Sequence, residues 1–188
     1  RENVFKEEGI LSEYASTVFF KNSDDEYLTK IDELERVKTY GEKGQDFKIE
    51  YGSICKINGV AIENKSIIGE HNFTNLLVAI AIASDVLSTP IESLAKFASS
   101  FTPTSNRSQW IENGKQRVFL DAYNANPTSM KKSLDGFLSY IESIGGKLED
   151  VSLILGDMNE LGDNEAQFHQ EFGKELDAKK IGSVNFVG

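Results

Sequence analysis

The sequence predicts an α/β chain built in two parts, and three observations predict it. Residues 1–70 favour short strands broken by Gly, Asn and Asp, and residues 71–100 then read as two helices. A stretch with linker chemistry follows, Phe101-Thr102-Pro103-Thr104-Ser105-Asn106-Arg107, with Pro, small polar side chains and no periodicity. Beyond it, apolar runs alternate strand, helix, strand, helix, strand, the βαβαβ order of a parallel sheet with right-handed crossovers. The domain division is placed at 1–103 and 104–188.

In the first part, Thr17 to Phe20, Phe47 to Tyr51, Ile54 to Ile57 and Val60 to Ile62 read as strands. Asn58-Gly59 between two of them signals a two-residue hairpin turn, because both residues tolerate positive φ. His71 to Leu87 is apolar on nearly every side and predicts a buried helix. Thr89-Pro90 breaks it, and Pro90 suits the start of a second helix, Ile91 to Ala98. In the second part, Arg117 to Leu120 is a strand. Pro127 to about Ile144 is a helix, with Met130, Leu134, Phe137, Leu138 and Ile141 at helical spacing. Asn126 is placed to cap it and Gly145-Gly146 to end it. Val151 to Leu155 reads as a buried strand. A helix from about Asn164 to Lys179 follows, with Asn164 and Gln167 spaced as a capping box. Ser183 to Val187 is the third strand.

The chain has 188 residues, 39% of them hydrophobic, enough for one large core or two small ones. Its formal charge of −10 argues against a nucleic-acid binder, which needs a basic face. It leaves open a small anionic ligand, whose site depends on local dipoles rather than net charge. A single cysteine, Cys55, excludes an intrachain disulfide and a thiolate metal cluster. The longest apolar run, Leu76 to Ala83, is far below the roughly 20 residues that span a bilayer. No membrane insertion is expected, and a cytoplasmic monomer is the default.

Ligands in open α/β sheets sit beyond the carboxyl ends of the strands. That rule selects two loops: Asp121 to Pro127, and Gly156-Asp157-Met158-Asn159-Glu160-Leu161-Gly162. Both are dense in side chains that make directed hydrogen bonds. The same residues are common in turns, so Asn126 could serve only as a cap. A third group opens the first long helix, where His71, Asn72 and Asn75 neighbour one another on the helical surface. They are either a capped helix start with a satisfied histidine or a base-recognition site. Arg107 is either an ordinary surface arginine or a phosphate contact suited to its guanidinium fork.

Several stretches together resemble the Mur ligase family. GEHNFTNLLVAIAIA (69–83) looks like the central-domain signature of Gly-x-His-Asn-x-x-Asn before an alanine-rich helix. LDAYNANPTSM (120–130), and LGDMNELG (155–162) followed by His169, resemble the C-terminal-domain motifs of the branch that adds D-Ala-D-Ala. TVFFKNSDDEYL (17–28) is similar to the family's Asn-Ala-Asp-Asp stretch, with Ser23 in place of Ala. The resemblance runs from about residue 16 to the end. It implies part of a Mur ligase central ATP-binding domain, followed by the start of a Rossmann-like C-terminal domain. It implies ATP and Mg²⁺ as cofactors, with UDP-MurNAc-tripeptide and D-Ala-D-Ala as substrates joined through an acyl phosphate. By position, His71, Asn72 and Asn75 would lie on the adenine side, and Asp121 would hold the ribose. Arg107 would bind phosphate as the catalytic cation. Tyr123, Asn124, Asn126 and Asp157 would face the other substrates. Glu160 lies on the same edge, and His169 reads as structural.

The family's phosphate loop, Gly-x-x-x-x-Gly-Lys-[Ser/Thr], does not occur in these 188 residues. The chain is therefore expected to be a fragment that cannot turn over ATP alone. The metal ligands are unknown; Lys6 and Glu8 stand near where a modified lysine belongs, but neither is assigned. Two other readings compete. One is a related ligase of the folylpolyglutamate synthase kind, against which the Asn-Ala-Asn-Pro run argues. The other is a non-catalytic nucleotide-binding module.

Overall fold

A computed structural model describes residues 2–31 and 36–188, leaving aside the side chains of Asn3, Val4 and Glu8. The chain forms two compact units, Arg1–Lys65 with Thr74–Phe101, and Ser66–Phe73 with Thr102–Gly188.

The first unit opens with helices α1 (Glu2–Glu8) and α2 (Leu11–Tyr14). A five-stranded sheet follows in sequential order: β1 (Phe19–Asn22), β2 (Val37–Gly41), β3 (Phe47–Glu50), β4 (Cys55–Ile57) and β5 (Val60–Ile62). β1 and β2 run parallel, β2 meets β3 in a short parallel bridge, and β3, β4 and β5 are antiparallel. The Asn58-Gly59 turn has φ of 49° and 79°, the left-handed pair that a type I′ hairpin needs. Burial alternates along β3, with Phe47 and Ile49 inside and Lys48 and Glu50 outside. Ile49, Ile57, Ile62 and Leu77 are essentially fully buried, each contributing about 1.5–3 kcal/mol by removal from water.

Helix α3 (Glu70–Val86) follows the predicted span closely. It is not buried all round: Leu77, Ile80 and Ala81 are its buried residues, while Ile82 and Val86 are exposed. Those three positions, at i, i+3 and i+4, make one stripe, so a continuous apolar run buries a single face here. Helix α4 (Ile91–Ala98) begins after Pro90 as the sequence indicates. Asn64 donates from Nδ2 to the carbonyls of Ala98 and Phe101 at its far end, 2.6 and 2.8 Å.

In the second unit, strands β6 (Gln109–Asn113) and β7 (Gln116–Leu120) form an antiparallel hairpin closed at Gly114, φ 61°. The strand pattern of the sequence does not reveal β6, although Asn113-Gly114 carries the same turn signal as Asn58-Gly59. Helix α5 (Pro127–Ser143), strand β8 (Ser152–Gly156), helix α6 (Glu165–Asp177) and strand β9 (Ser183–Val187) follow. β8 and β9 pair in parallel across α6, a βαβ unit. The α/β class thus stands, with one correction: β7 is paired with β6, and its partner is not β8. β8 is also not buried on both faces, since Leu153 is buried while Ile154 is 75% exposed.

α5 shows both of its sides. Leu134 and Leu138 join Val151, Leu153, Met158, Phe172 and Leu176 in one core. Phe137 and Tyr140 meet Trp110, with ring centroids 6.0 and 5.2 Å away, and Phe119 stacks on Phe137 at 5.3 Å. The Asn126 cap is present: its Oδ1 accepts from the Ser129 amide at 2.9 Å, and Ser129 Oγ accepts from the Asn126 amide at 3.1 Å. The capping box expected at Asn164 is absent, because a 3₁₀ turn (Gly162–Asn164) runs straight into α6. No helix among the described residues is long and apolar enough to cross a membrane.

Candidate functional site

The Asp121–Pro127 loop leaves the carboxyl end of β7 and enters the N-terminus of α5. Asp121 organises it. One carboxylate oxygen accepts from the Ser108 amide at 3.0 Å, and the other accepts from the Ser133 hydroxyl on α5. Ser108 is buried, with φ 49°. Its hydroxyl accepts from Asn72 Nδ2 at 2.8 Å, and the same amide donates to the Ile68 carbonyl at 2.8 Å. A continuous chain of polar contacts therefore links Asn72, Ser108, Asp121 and Ser133 within the second unit. Neither serine stands out in the sequence. A hydroxyl in a polar linker and another on a helix carry no spacing signal, and only the fold brings them to Asp121.

Arg107 and Tyr123 meet directly. The guanidinium carbon lies 3.6 Å from the Tyr123 ring centroid, a stacked cation–π contact. Stacking uses the face of the guanidinium and leaves its N–H fork in the plane, the edge that binds phosphate. The backbone supports this arrangement, since the Ala122 amide donates to the Asn106 carbonyl at 3.0 Å.

His71 stands at the head of α3, with its ring against Gly69, whose φ of +85° a side chain would strain. Partial burial pushes the imidazole below its ordinary range, and the Lys132 ammonium adds to this; Asp121 and Glu70 pull the other way. Segment 66–73 approaches α5 glycine to glycine. A Cβ on Gly136 would lie 3.0 Å from the Gly69 Cα.

Asn124 folds back, its Oδ1 accepting from the Ala125 amide at 2.8 Å. Asn126 uses its Oδ1 in the helix cap. Asp157 and Glu160 are exposed on the loop after β8, and Glu160 has φ 61°. Asn75 is exposed on α3 and belongs to the first unit. His169 holds the backbone of the second loop: Met158 N–H donates to its Nε2 at 3.1 Å. Lys6 pairs with Glu2 at 3.0 Å, and the Glu8 side chain lies outside the described residues. Among the described residues, no three His, Cys, Asp or Glu side chains converge to hold a metal ion.

Polar strand-end loops, an arginine stacked on a tyrosine at their edge and the asparagine at the head of α3 are gathered in one α/β unit. Residues 106–188 match the family described as Mur ligase, glutamate ligase domain. Those residues belong to the Mur ligase family. The chain is 34% identical to the UDP-N-acetylmuramoyl-tripeptide–D-alanyl-D-alanine ligase of Bacillus subtilis, over 99% of this chain and 39% of that protein. The same-named ligase of Buchnera aphidicola is 32% identical, over 80% of this chain and 30% of that protein. The chain therefore spans well under half the length of these relatives. The fold is similar to the crystal structure of MurF ligase from Thermotoga maritima in complex with ADP. That match has a TM-score of 0.75 at 15% identity and covers 98% of this chain and 44% of that one. It is also similar to MurF from Acinetobacter baumannii, with a TM-score of 0.73 at 23% identity over 91% and 38%.

Proposed function

We infer that the full-length gene product joins D-Ala-D-Ala to UDP-MurNAc-tripeptide at the expense of ATP, with Mg²⁺, in peptidoglycan precursor synthesis. The observation that carries this reading is the gathering of Asn72, Asp121, Arg107 and Tyr123 in one unit. The similarity of nearly the whole chain to a ligase of that name supports it. The tripeptide carboxylate attacks the γ-phosphorus of ATP, giving an acyl phosphate and ADP. The amine of D-Ala-D-Ala then attacks the acyl carbon, loses a proton and expels phosphate.

Both steps bring anions together, so a fixed cation is required. Arg107 supplies it, held by its stack on Tyr123 with the N–H fork turned to the phosphates. Asp121 already accepts two protein hydrogen bonds, and a carboxylate has room for about four, which leaves acceptors for ribose hydroxyls. His71, Asn72 and Asn75 serve the adenine side. Both Nδ2 protons of Asn72 are engaged by Ile68 and Ser108, so pairing with the base through that amide requires one of these bonds to open. Tyr123, Asn124, Asn126 and Asp157 address the two peptide substrates.

The test is phosphate release by the full-length gene product. Release should require ATP, Mg²⁺, UDP-MurNAc-tripeptide and D-Ala-D-Ala together. Turnover with glutamate and none with D-Ala-D-Ala would reverse the reading. Arg107→Ala should lower kcat by about 10²–10³-fold, the cost typical of removing one donor to developing charge.

A further inference from the structure

The function proposed above gives His169 no role. His169 sits on α6, one turn from its start, and both ring nitrogens are engaged. Nδ1 lies 2.9 Å from the Glu165 carbonyl and Nε2 accepts from the Met158 amide at 3.1 Å. A carbonyl only accepts and an amide N–H only donates, so the geometry defines one tautomer, protonated on Nδ1 and bare on Nε2.

The consequence lies in the loop that this bond fixes. β8 ends its pairing with β9 at Gly156, so the Met158 amide lies beyond the sheet ladder. The Met158 side chain is 1% exposed in the core, Leu161 packs against the same core, and between them Glu160 adopts φ 61°. A left-handed glutamate costs about 1 kcal/mol or more and persists only where its surroundings enforce it. The loop is thus held at three points: the Met158 side chain, the Met158 amide and Leu161. Asp157, Asn159 and Glu160 are left exposed. The imidazole is itself tied to the Glu165 carbonyl, on a helix anchored in the core by Phe172 and Leu176.

We propose that His169 is a positioning residue: as the Nδ1–H tautomer it clamps the Met158 amide and fixes Asp157 and Glu160 for the amine-donating substrate. This rests on the function proposed above. The bond requires only an acceptor at the Nε2 position, so glutamine, whose Oε1 reaches a similar point, should replace histidine where alanine does not.

The experiment uses the full-length gene product with ¹⁵N-histidine labelling, hydrogen exchange by mass spectrometry, and steady-state kinetics. The wild type should show the Nδ1–H tautomer for His169 and slow exchange at Met158. His169→Ala should speed that exchange at least tenfold and raise KM for D-Ala-D-Ala about tenfold, with KM for ATP changed less than twofold. His169→Gln should restore both to within threefold. An Nε2–H tautomer, unchanged exchange in His169→Ala, or equal rises in both KM values would overturn the clamp. Absence of D-Ala-D-Ala turnover in the wild type would instead overturn the proposed function, and the labelling and exchange results would still report on the bond itself.

Discussion

The surroundings bias the charge state of His71, at the head of α3. Burial and Lys132 hold its folded-state pKa below the unfolded value, which lies near about 6.5. Below that pH the unfolded chain takes up a proton that the folded chain resists, so stability falls as pH drops and is regained above it. His71→Gln should flatten denaturant midpoints between pH 5 and 7 compared with wild type; equal slopes would argue against the burial effect. The Arg107–Tyr123 stack makes a second prediction. Tyr123→Phe keeps the ring and should leave KM for ATP within about twofold, whereas Tyr123→Leu should raise it severalfold, a loss of about 0.5–1 kcal/mol for an exposed cation–π pair. At this scale the sequence offers candidate residues and is silent about how they are held. Loop position and spacing offer Asp121, Asn72 and Arg107 as candidates. Ser108 and Ser133, which join them, are not offered, because a hydroxyl gains its partner only through long-range folding.

Among elements, α5 shows the sharpest contrast between local and long-range causes. Its cap and its last turn follow from Asn126, Pro127 and Gly145, all readable as local chemistry, and Asn126→Ala should cost about 0.5–2 kcal/mol in a denaturation titration. Its interior glycine does not follow from local chemistry. In most helices Gly→Ala stabilises by about 1 kcal/mol. At Gly136 the added Cβ would press on Gly69, so the substitution should instead destabilise by about 1 kcal/mol. Gly173 on α6 has open space where a methyl would stand, with nothing within 4 Å; Gly173→Ala should stabilise by about 0.5–1 kcal/mol. The two variants measured side by side separate crowding from propensity. Periodicity finds α4, α5 and β9 with little error because each is bounded by Pro, Gly or a cap. It misses β2 and β6, whose polar residues dilute the alternation. It overstates the burial of α3 and β8, since an apolar run does not reveal how many of its sides meet a core.

For the molecule as a whole, two units with separate cores imply that unfolding need not be a single transition. Leu77 lies in the first core and Leu138 in the second. Each replaced by alanine should cost about 2–5 kcal/mol, and each should move chiefly the transition of its own unit in calorimetry. A uniform shift of one cooperative peak by both variants would contradict this. Texture and the Pro103 linker point to a division into a strand-rich part and an alternating part. The membership of residues 66–73 in the second unit is not legible in the sequence, because it depends on the close approach of Gly69 to Gly136, residues far apart in sequence.

Trp110 is the single tryptophan of the chain. It lies against Phe119, Phe137 and Tyr140, with the Arg117 guanidinium 4.7 Å over its ring. Its emission is therefore a private optical channel to the hairpin and α5. Excitation at the red edge of the protein band selects this one fluorophore, and the first unit stays dark. Iodide quenching and emission colour would each report when the hairpin lifts from α5. No dye or engineered probe is needed.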